Sequence, residues 1–273
     1  MSVQDFHLTI DTDNIRVIDA LADSSELPKV RIKDALNKGA VWLHTRGREQ
    51  RLRRATKTLK RGDRVSLYYD ADVLQREPPA AQLIADERDY SIWHKPAGML
   101  AQGTRYGDHC SLLRWSEKYF QPPRENFLVH RLDREAEGLI LIAHTKKAAD
   151  AFSKLWQQHR IKKQYSVIVE GAIGAVGSAH RIDTTLDGKE CATEFTVVDF
   201  DATLARSKLA VTLITGRKHQ IRRHLAGIGF ALVGDPRYGS RRSDRGGENL
   251  ALRAVALEFI CPLRGDAKKY ALE

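Results

Sequence analysis

The residues of this chain able to do chemistry gather in two segments. The first, HRLDREAEGLILIAHTKKA (130–148), sets His130, Arg131, Asp133 and Arg134 in a polar turn directly before a near-continuous apolar strand. A carboxylate on a loop anchored by a buried strand can act as nucleophile or base. The competing structural reading pairs Arg131 with Asp133 to cap the turn. The second segment, LAVTLITGRKHQIRRHLAGIGFALVGDPRYG (209–239), runs from an alternating strand through Thr215-Gly216 into a helix start. Arg217, His219, Gln220, Arg222 and Arg223 crowd there, and such donors suit a phosphate or a carboxylate, or else form a basic helix end facing solvent. Neither GxxxxGK[ST] nor GxGxxG occurs, so a nucleotide-cofactor loop is not supported.

Cys110, Cys191 and Cys261 are odd in number, widely spaced and without a CxxC pair, which argues against a disulfide framework or a zinc site and for small hydrophobes. No metal is expected. The longest apolar runs, such as LILIA at 139–143, are far shorter than the roughly 20 residues of a spanning helix. The amino terminus carries three acids before its first Lys or Arg and no apolar stretch of the kind a secretory signal needs, so the expected location is cytoplasmic, with no membrane partner.

Positioning elements can be read along the chain. The 273 residues carry a formal net charge of +10, and residues 29–64 hold 13 Lys+Arg against 3 Asp+Glu, so the whole excess lies in one short segment. Its pattern VRIKDALNKGAVWLH predicts a helix with Val30, Ile32, Ala35 and Leu36 at helical spacing, Gly39 as a left-handed stop, then a strand through Val41 and Leu43. After the basic run, Gly62-Asp63 predicts a tight turn into a second strand with Val65, Leu67 and Tyr69 alternating. This is a compact basic α/β module over residues 1–70. The span 71–82, with Pro78-Pro79, predicts a semi-rigid linker, and a larger domain follows over 83–273. Strands are expected at 83–85, 91–93, 139–143, 165–169, 209–214 and 255–259. The helix AADAFSKLWQQHR should turn Ala149, Phe152, Leu155, Trp156 and His159 to one face. The order of elements is α+β.

Together the two reactive segments resemble a known family. HRLDREAEGLILIA is similar to the HRLDxxTSGLLLLA signature of RluA-type pseudouridine synthases, and TGRKHQIRRHLAGIGFALVGDPRYG resembles their TGRxHQIRxHLxxxGxPIxGDxxYG block. KKQYSVIVEG (162–171) is similar to their KxYxAxVxG strand, and WHKPAGMLAQG (93–103) to their NKPxGxxxxP block. The basic module is similar to the S4 RNA-binding domain that often precedes such domains. Its stretch from Arg46 to Lys60 is longer and more basic than the usual S4 turn, and the usual SR pair is absent.

The resemblance implies a pseudouridine synthase fold, with a mixed, largely antiparallel sheet flanked by helices and loops, behind a small S4-like module. It implies a monomer that isomerises uridine in structured RNA, ribosomal RNA ahead of tRNA, with no cofactor, since detaching uracil from C1′ and rejoining it through C5 changes no composition. Asp133 is implied as the initiating acid, Arg217 as its partner, and Tyr165 as the ring stacked on uracil, with a part in removing the C5 proton. Arg131 is implied to fill the space left by the flipped nucleotide. Lys95 is expected to touch RNA, with Arg31, Lys33, Lys38, Arg51, Arg53 and Arg54 of the basic module. His130, His219 and Gln220 read as packing and hydrogen-bonding residues. Arg241, Arg242 and Arg245 form either a second RNA contact or a solvated loop. Ala136-Glu137 stands where the family has Thr-Ser, and Arg223 stands where an aliphatic residue often follows HQIR. The competing hypotheses are a non-catalytic RNA-binding or assembly factor on the same fold, and a nucleoside hydrolase that would release free uracil.

Overall fold

Alternating apolar residues in the basic segment need a partner face, and the first unit supplies it. The computed structural model describes residues 3–239 and 247–273. It divides into Met1–Pro79 with Gln102–Tyr119, and Ala80–Ala101 with Phe120–Glu273. The expected boundary did not include the return of 102–119 to the first unit. Arg241, Arg242 and Arg245 lie outside the described residues.

In the first unit β1 (Gln4–Thr9), β2 (Ile15–Arg16), α1 (Val17–Ser25), α2 (Lys29–Asn37), β3 (Val41–Thr45), β4 (Arg48–Arg51), β5 (Thr58–Leu59), β6 (Arg64–Tyr69) and α3 (Ala71–Leu74) follow in order, and the returning segment adds α4 (Leu112–Tyr119). Helix α2 buries Ile32, Ala35 and Leu36 and leaves Arg31 and Lys33 exposed. It stops at Lys38, and Gly39 follows at φ +79°, the left-handed exit that glycine takes most cheaply. Strands pair antiparallel in the order β1-β6-β3-β4. Leu43, Val65 and Leu67 join Leu21, Ile32 and Leu36 in one core, each such side chain contributing roughly 1.5–3 kcal/mol by burial. The start of the expected linker is instead α3, because the Asp70 carboxylate accepts the Val73 N–H at 3.0 Å and caps a short helix.

The second unit contains β7 (Gln82–Asp86), β8 (Tyr90–Lys95), β9 (Phe127–Leu128), β10 (Glu137–Ala143), α5 (Lys146–Gln157), β11 (Lys162–Glu170), β12 (Ala179–Leu186), β13 (Lys189–Asp201), β14 (Arg206–Leu213), α6 (Gln220–Gly227), β15 (Leu252–Ile260) and β16 (Ala267–Ala271). Ten strands form one sheet in the order β12-β13-β14-β11-β15-β10-β8-β7, with β16 on β15 and β9 on β10. Among the described pairings β10–β15 is parallel and the rest are antiparallel. This is the mixed, largely antiparallel α+β sheet expected.

Each expected strand lies within an observed one, except that 209–214 runs one residue past β14, which ends at Leu213. Helix α5 is capped by Thr145 Oγ1, which accepts the Ala148 N–H at 3.1 Å, and it buries Ala148, Phe152 and Leu155. His159, expected on its face, lies beyond its end at φ +55°. Gly138 opens the last approach to the site. At φ +119° a Cβ there would meet the Ala254 carbonyl oxygen at 2.3 Å, so only glycine lets β10 come alongside β15 immediately after the Asp133 loop.

Candidate active site

Asp133 sits on the loop between β9 and β10, which buried strand residues Leu139–Ala143 hold from one end. Lys95 holds it from beneath. This lysine, at the end of β8, is fully buried and donates to the carbonyls of Ala136 (2.6 Å), Met99 (2.8 Å) and Pro96 (3.0 Å). The Gly98 N–H donates to the Arg134 carbonyl at 2.8 Å, tying the 96–99 turn to the same loop. Burial pushes the Lys95 ammonium down to about 8, against the pull of Asp133. The expectation that Lys95 touches RNA is therefore corrected: its donors are spent on backbone carbonyls inside the protein.

The cation on Asp133 is Arg222. Its Nη1 donates to Asp133 Oδ2 at 3.0 Å, while Nε and Nη2 donate to the two oxygens of Asp235 at 2.8 and 2.7 Å. Burial would lower the Arg222 guanidinium, but hydrogen bonds to Asp235 and Asp133 outweigh that and raise it. Burial likewise acts to raise Asp235, and Arg222 with the N–H groups of Tyr238 and Arg237 holds it below the usual carboxylate range. The implied pairing of Arg217 with Asp133 is corrected here. Arg217 is exposed on the cavity wall, and its backbone N–H donates to Gln220 Oε1 at 3.0 Å. Arg222 lies inside α6, as its third residue, and so reaches the carboxylates that Arg217 does not.

Gln220 organises that helix start. Its Oε1 also accepts the Thr215 hydroxyl at 2.8 Å, and its Nε2 donates to the Ala192 carbonyl and Thr193 Oγ1, both at 3.0 Å. His219 caps α6 with φ +55°, places Nε2 3.5 Å from Asp133 Oδ1, and bonds the Tyr238 hydroxyl through Nδ1 at 3.0 Å. Burial lowers its pKa, with Asp133 opposing. His219 is thus beside the acid, which the packing role did not anticipate. His130 fits that role: its Nε2 accepts the Leu141 N–H at 2.9 Å and its ring stacks on Trp156 at 3.9 Å.

Asp133 and Tyr165 line one cavity of about 420 Å³, within the roughly 300–1,000 Å³ of small-ligand clefts. Tyr165 projects from β11, paired with Val211 on one side and Ala254 on the other. Burial, then the Asp133 charge, raises its phenol pKa. A ring with a neutral tip suits stacking on a base. Arg131 is exposed on the same cavity. Glu137, the departure from Thr-Ser, pairs with Arg253 at 3.3 Å. A larger cleft of about 610 Å³ beside β15 and β16 includes none of these residues.

The basic module divides in two. Arg31, Lys33 and Arg54 are exposed. Lys38 is half-buried and donates to the Leu74 carbonyl at 2.6 Å and to Asp34 at 3.0 Å. Arg53 pairs with Asp108 and donates to the Asn37 carbonyl at 3.1 Å. Arg51 donates to the carbonyls of Gly39 and Thr104 and lies 3.2 Å from Asp108. Expected as RNA contacts, Arg51 and Arg53 are corrected to a clamp on the returning segment, because Asp108 offers a closer anion.

Sequence reading counted Arg222 among the donors of its segment but gave the pairing to Arg217, and it missed Asp235. Both stood in quoted motifs, and the available signal was an acid in an otherwise apolar stretch, ALVGD, which demands a buried cation.

A sequence model described as RNA pseudouridylate synthase matches residues 89–227. An uncharacterized RNA pseudouridine synthase of Aquifex aeolicus is 28% identical over 89% of this chain and 84% of its own length. A ribosomal large subunit pseudouridine synthase D of Nitrosomonas europaea is 32% identical over 62% of this chain and 53% of its own. Among solved structures, human RNA pseudouridylate synthase domain containing 1 superposes with a TM-score of 0.61 at 22% identity, covering 72% of this chain and 86% of that one.

Proposed function

Because the chain belongs to the RNA pseudouridylate synthase family, we propose that it isomerises uridine in ribosomal RNA, working as a monomer in the cytoplasm. Isomerisation of uridine to pseudouridine is the family's reaction; the ribosomal target is supported by relatives named for the large ribosomal subunit.

The observation that carries the residue assignment is the Asp133 carboxylate, held by Arg222 at 3.0 Å in the cavity that Tyr165 lines. In the proposed reaction the target nucleotide leaves its stack and its uracil lies on Tyr165, with the ribose toward Asp133. The carboxylate acts on the ribose, the N1–C1′ bond breaks, the base turns, and C5 bonds to C1′. The proton displaced from C5 leaves and N1 gains one, so reactant and product have equal composition. Arg222 fixes the carboxylate rotamer with a planar donor fork that lysine lacks. Arg131 fills the vacated stack. Exposed Arg31, Lys33 and Arg54 of the first unit serve as an S4-like phosphate grip, supported by the charge surplus of that segment.

The test is to incubate the protein with ribosomal RNA from a host lacking this gene and map pseudouridine by carbodiimide block. Wild type should create new sites and Asp133→Asn none. An Asp133→Asn variant turning over at the wild-type rate would sink the mechanism, and free uracil in the supernatant would favour the hydrolase.

A further inference from the structure

Lys163 is an ammonium that the mechanism leaves unused. It lies on β11 two residues before Tyr165, so both side chains project from the same side of the strand into the cavity that holds Asp133. It is 6% exposed. Its pKa is pushed down by burial, with no acid pulling it back. Among the described residues it makes no hydrogen bond or ion pair, whereas Lys95, buried more completely still, is satisfied by carbonyls. A buried cation without a counter-ion is costly to the fold, and persists where a ligand compensates it.

Its surroundings point to an anion. A Cβ on Gly216 would stand 3.7 Å from Lys163 Nζ, so the TGR turn passes next to the ammonium without a side chain between them. Arg217 and Lys218 follow on that turn, both exposed and lining the cavity. We propose that Lys163, with the Gly216–Lys218 turn, forms a phosphate subsite that takes one phosphodiester of the RNA strand carrying the target uridine. This rests on the isomerase reading above and adds to it the group that seats the flipped nucleotide.

The subsite is tested by RNA binding of the full chain, in the Asp133→Asn background so that no turnover intervenes. The substrate is a ribosomal RNA fragment chosen by its binding to the wild-type chain, with single linkages replaced one at a time by neutral methylphosphonate. Lys163→Met should weaken binding at least about five-fold and reduce the salt slope by about one phosphate's share, 0.7–0.9. It should also raise the thermal midpoint, since an uncompensated buried charge is removed. One methylphosphonate linkage should cost wild-type Lys163 several-fold in affinity and cost Lys163→Met nothing. An unchanged slope, or equal sensitivity to every linkage in both proteins, would overturn the subsite; weaker binding with an unchanged slope would assign Lys163 to the uracil carbonyls instead and so overturn it too. Lys163→Arg, which keeps the charge, should retain most of the slope and guards against a packing effect. If wild type makes no pseudouridine at all, the isomerase reading fails independently of these binding results.

Discussion

Arg222 and Asp235 meet fork to fork, Nε and Nη2 on the two carboxylate oxygens at 2.8 and 2.7 Å, with side chains 2% and 0% exposed. The pair leaves Nη1 of the same guanidinium for Asp133. Asp235 is therefore a positioning residue: it fixes the plane of the donor that fixes the acid. Gly234 delivers it, at φ +67° and so close to Asn249 that a Cβ would meet that carbonyl oxygen at 2.3 Å.

Asp235→Asn should cost about 3 kcal/mol of stability, the scale of a buried pair losing one partner. It should also lower kcat far more than KM, because Arg222 is free to turn from Asp133. Arg217→Ala should stay within about 0.5 kcal/mol of wild type, as an exposed substitution. Urea unfolding with single-turnover rates separates these; a wild-type rate in folded Asp235→Asn would show that the fork is only structural.

How far the site was legible follows from these residues. Asp133 stood out as a carboxylate in a polar turn before a buried strand, whereas Tyr165 came only through the resemblance of KKQY to a family strand; the structure brings both to one cavity. The pairing of Arg222 was not legible, because six donors stand from Arg217 to Arg223 and only the helix phase of α6 decides which enters the interior. Lys95 and Arg53 were misread for a shared reason: a sequence shows a cation but not whether carbonyls or Asp108 reach it first. The β12–β13 hairpin went unmarked although Asp187-Gly188, at φ +52° and +73°, is a two-residue turn of the kind hairpins favour. In β12 only Ile182 and Leu186 are buried, which leaves too little apolar alternation to register as a strand.

Lys95→Met should be among the most damaging single changes away from Asp133. It strands the carbonyls of Ala136, Met99 and Pro96, at about 1–3 kcal/mol for each left without a donor. Its RNA salt slope, measured on the folded fraction, should equal that of wild type. A slope lowered by one phosphate would return Lys95 to the RNA surface.

Acid should unfold the protein partly through His130. Burial holds its pKa at about 3, against 6.5, and its Nε2 must stay unprotonated to accept the Leu141 N–H. As pH falls from 6.5 toward 3 the unfolded chain binds this proton and the folded one does not. Stability is lost across that window, by at most about 5 kcal/mol, and no further below it. His130→Gln offers an oxygen to the same N–H and cannot titrate. Its urea midpoint should fall less than that of wild type over the window, and an equal fall would refute the assignment.

Salt dependence should sort the cations of the first unit. A phosphate contact releases counterions, so each neutralised phosphate contributes about 0.7–0.9 to the slope of log K against log salt. Arg31, Lys33 and Arg54 are exposed and free to make such contacts, and each changed to Gln should lower the slope by up to that amount with stability nearly unchanged. Arg53 already neutralises Asp108 and donates to the Asn37 carbonyl. Arg53→Gln should therefore leave the slope intact and instead lower the thermal midpoint, since the returning segment 102–119 loses an anchor. Reversed results, with the slope following Arg53 and stability following Arg31, would mean that the clamp opens when RNA binds and that Asp108 and a phosphate compete for the same guanidinium.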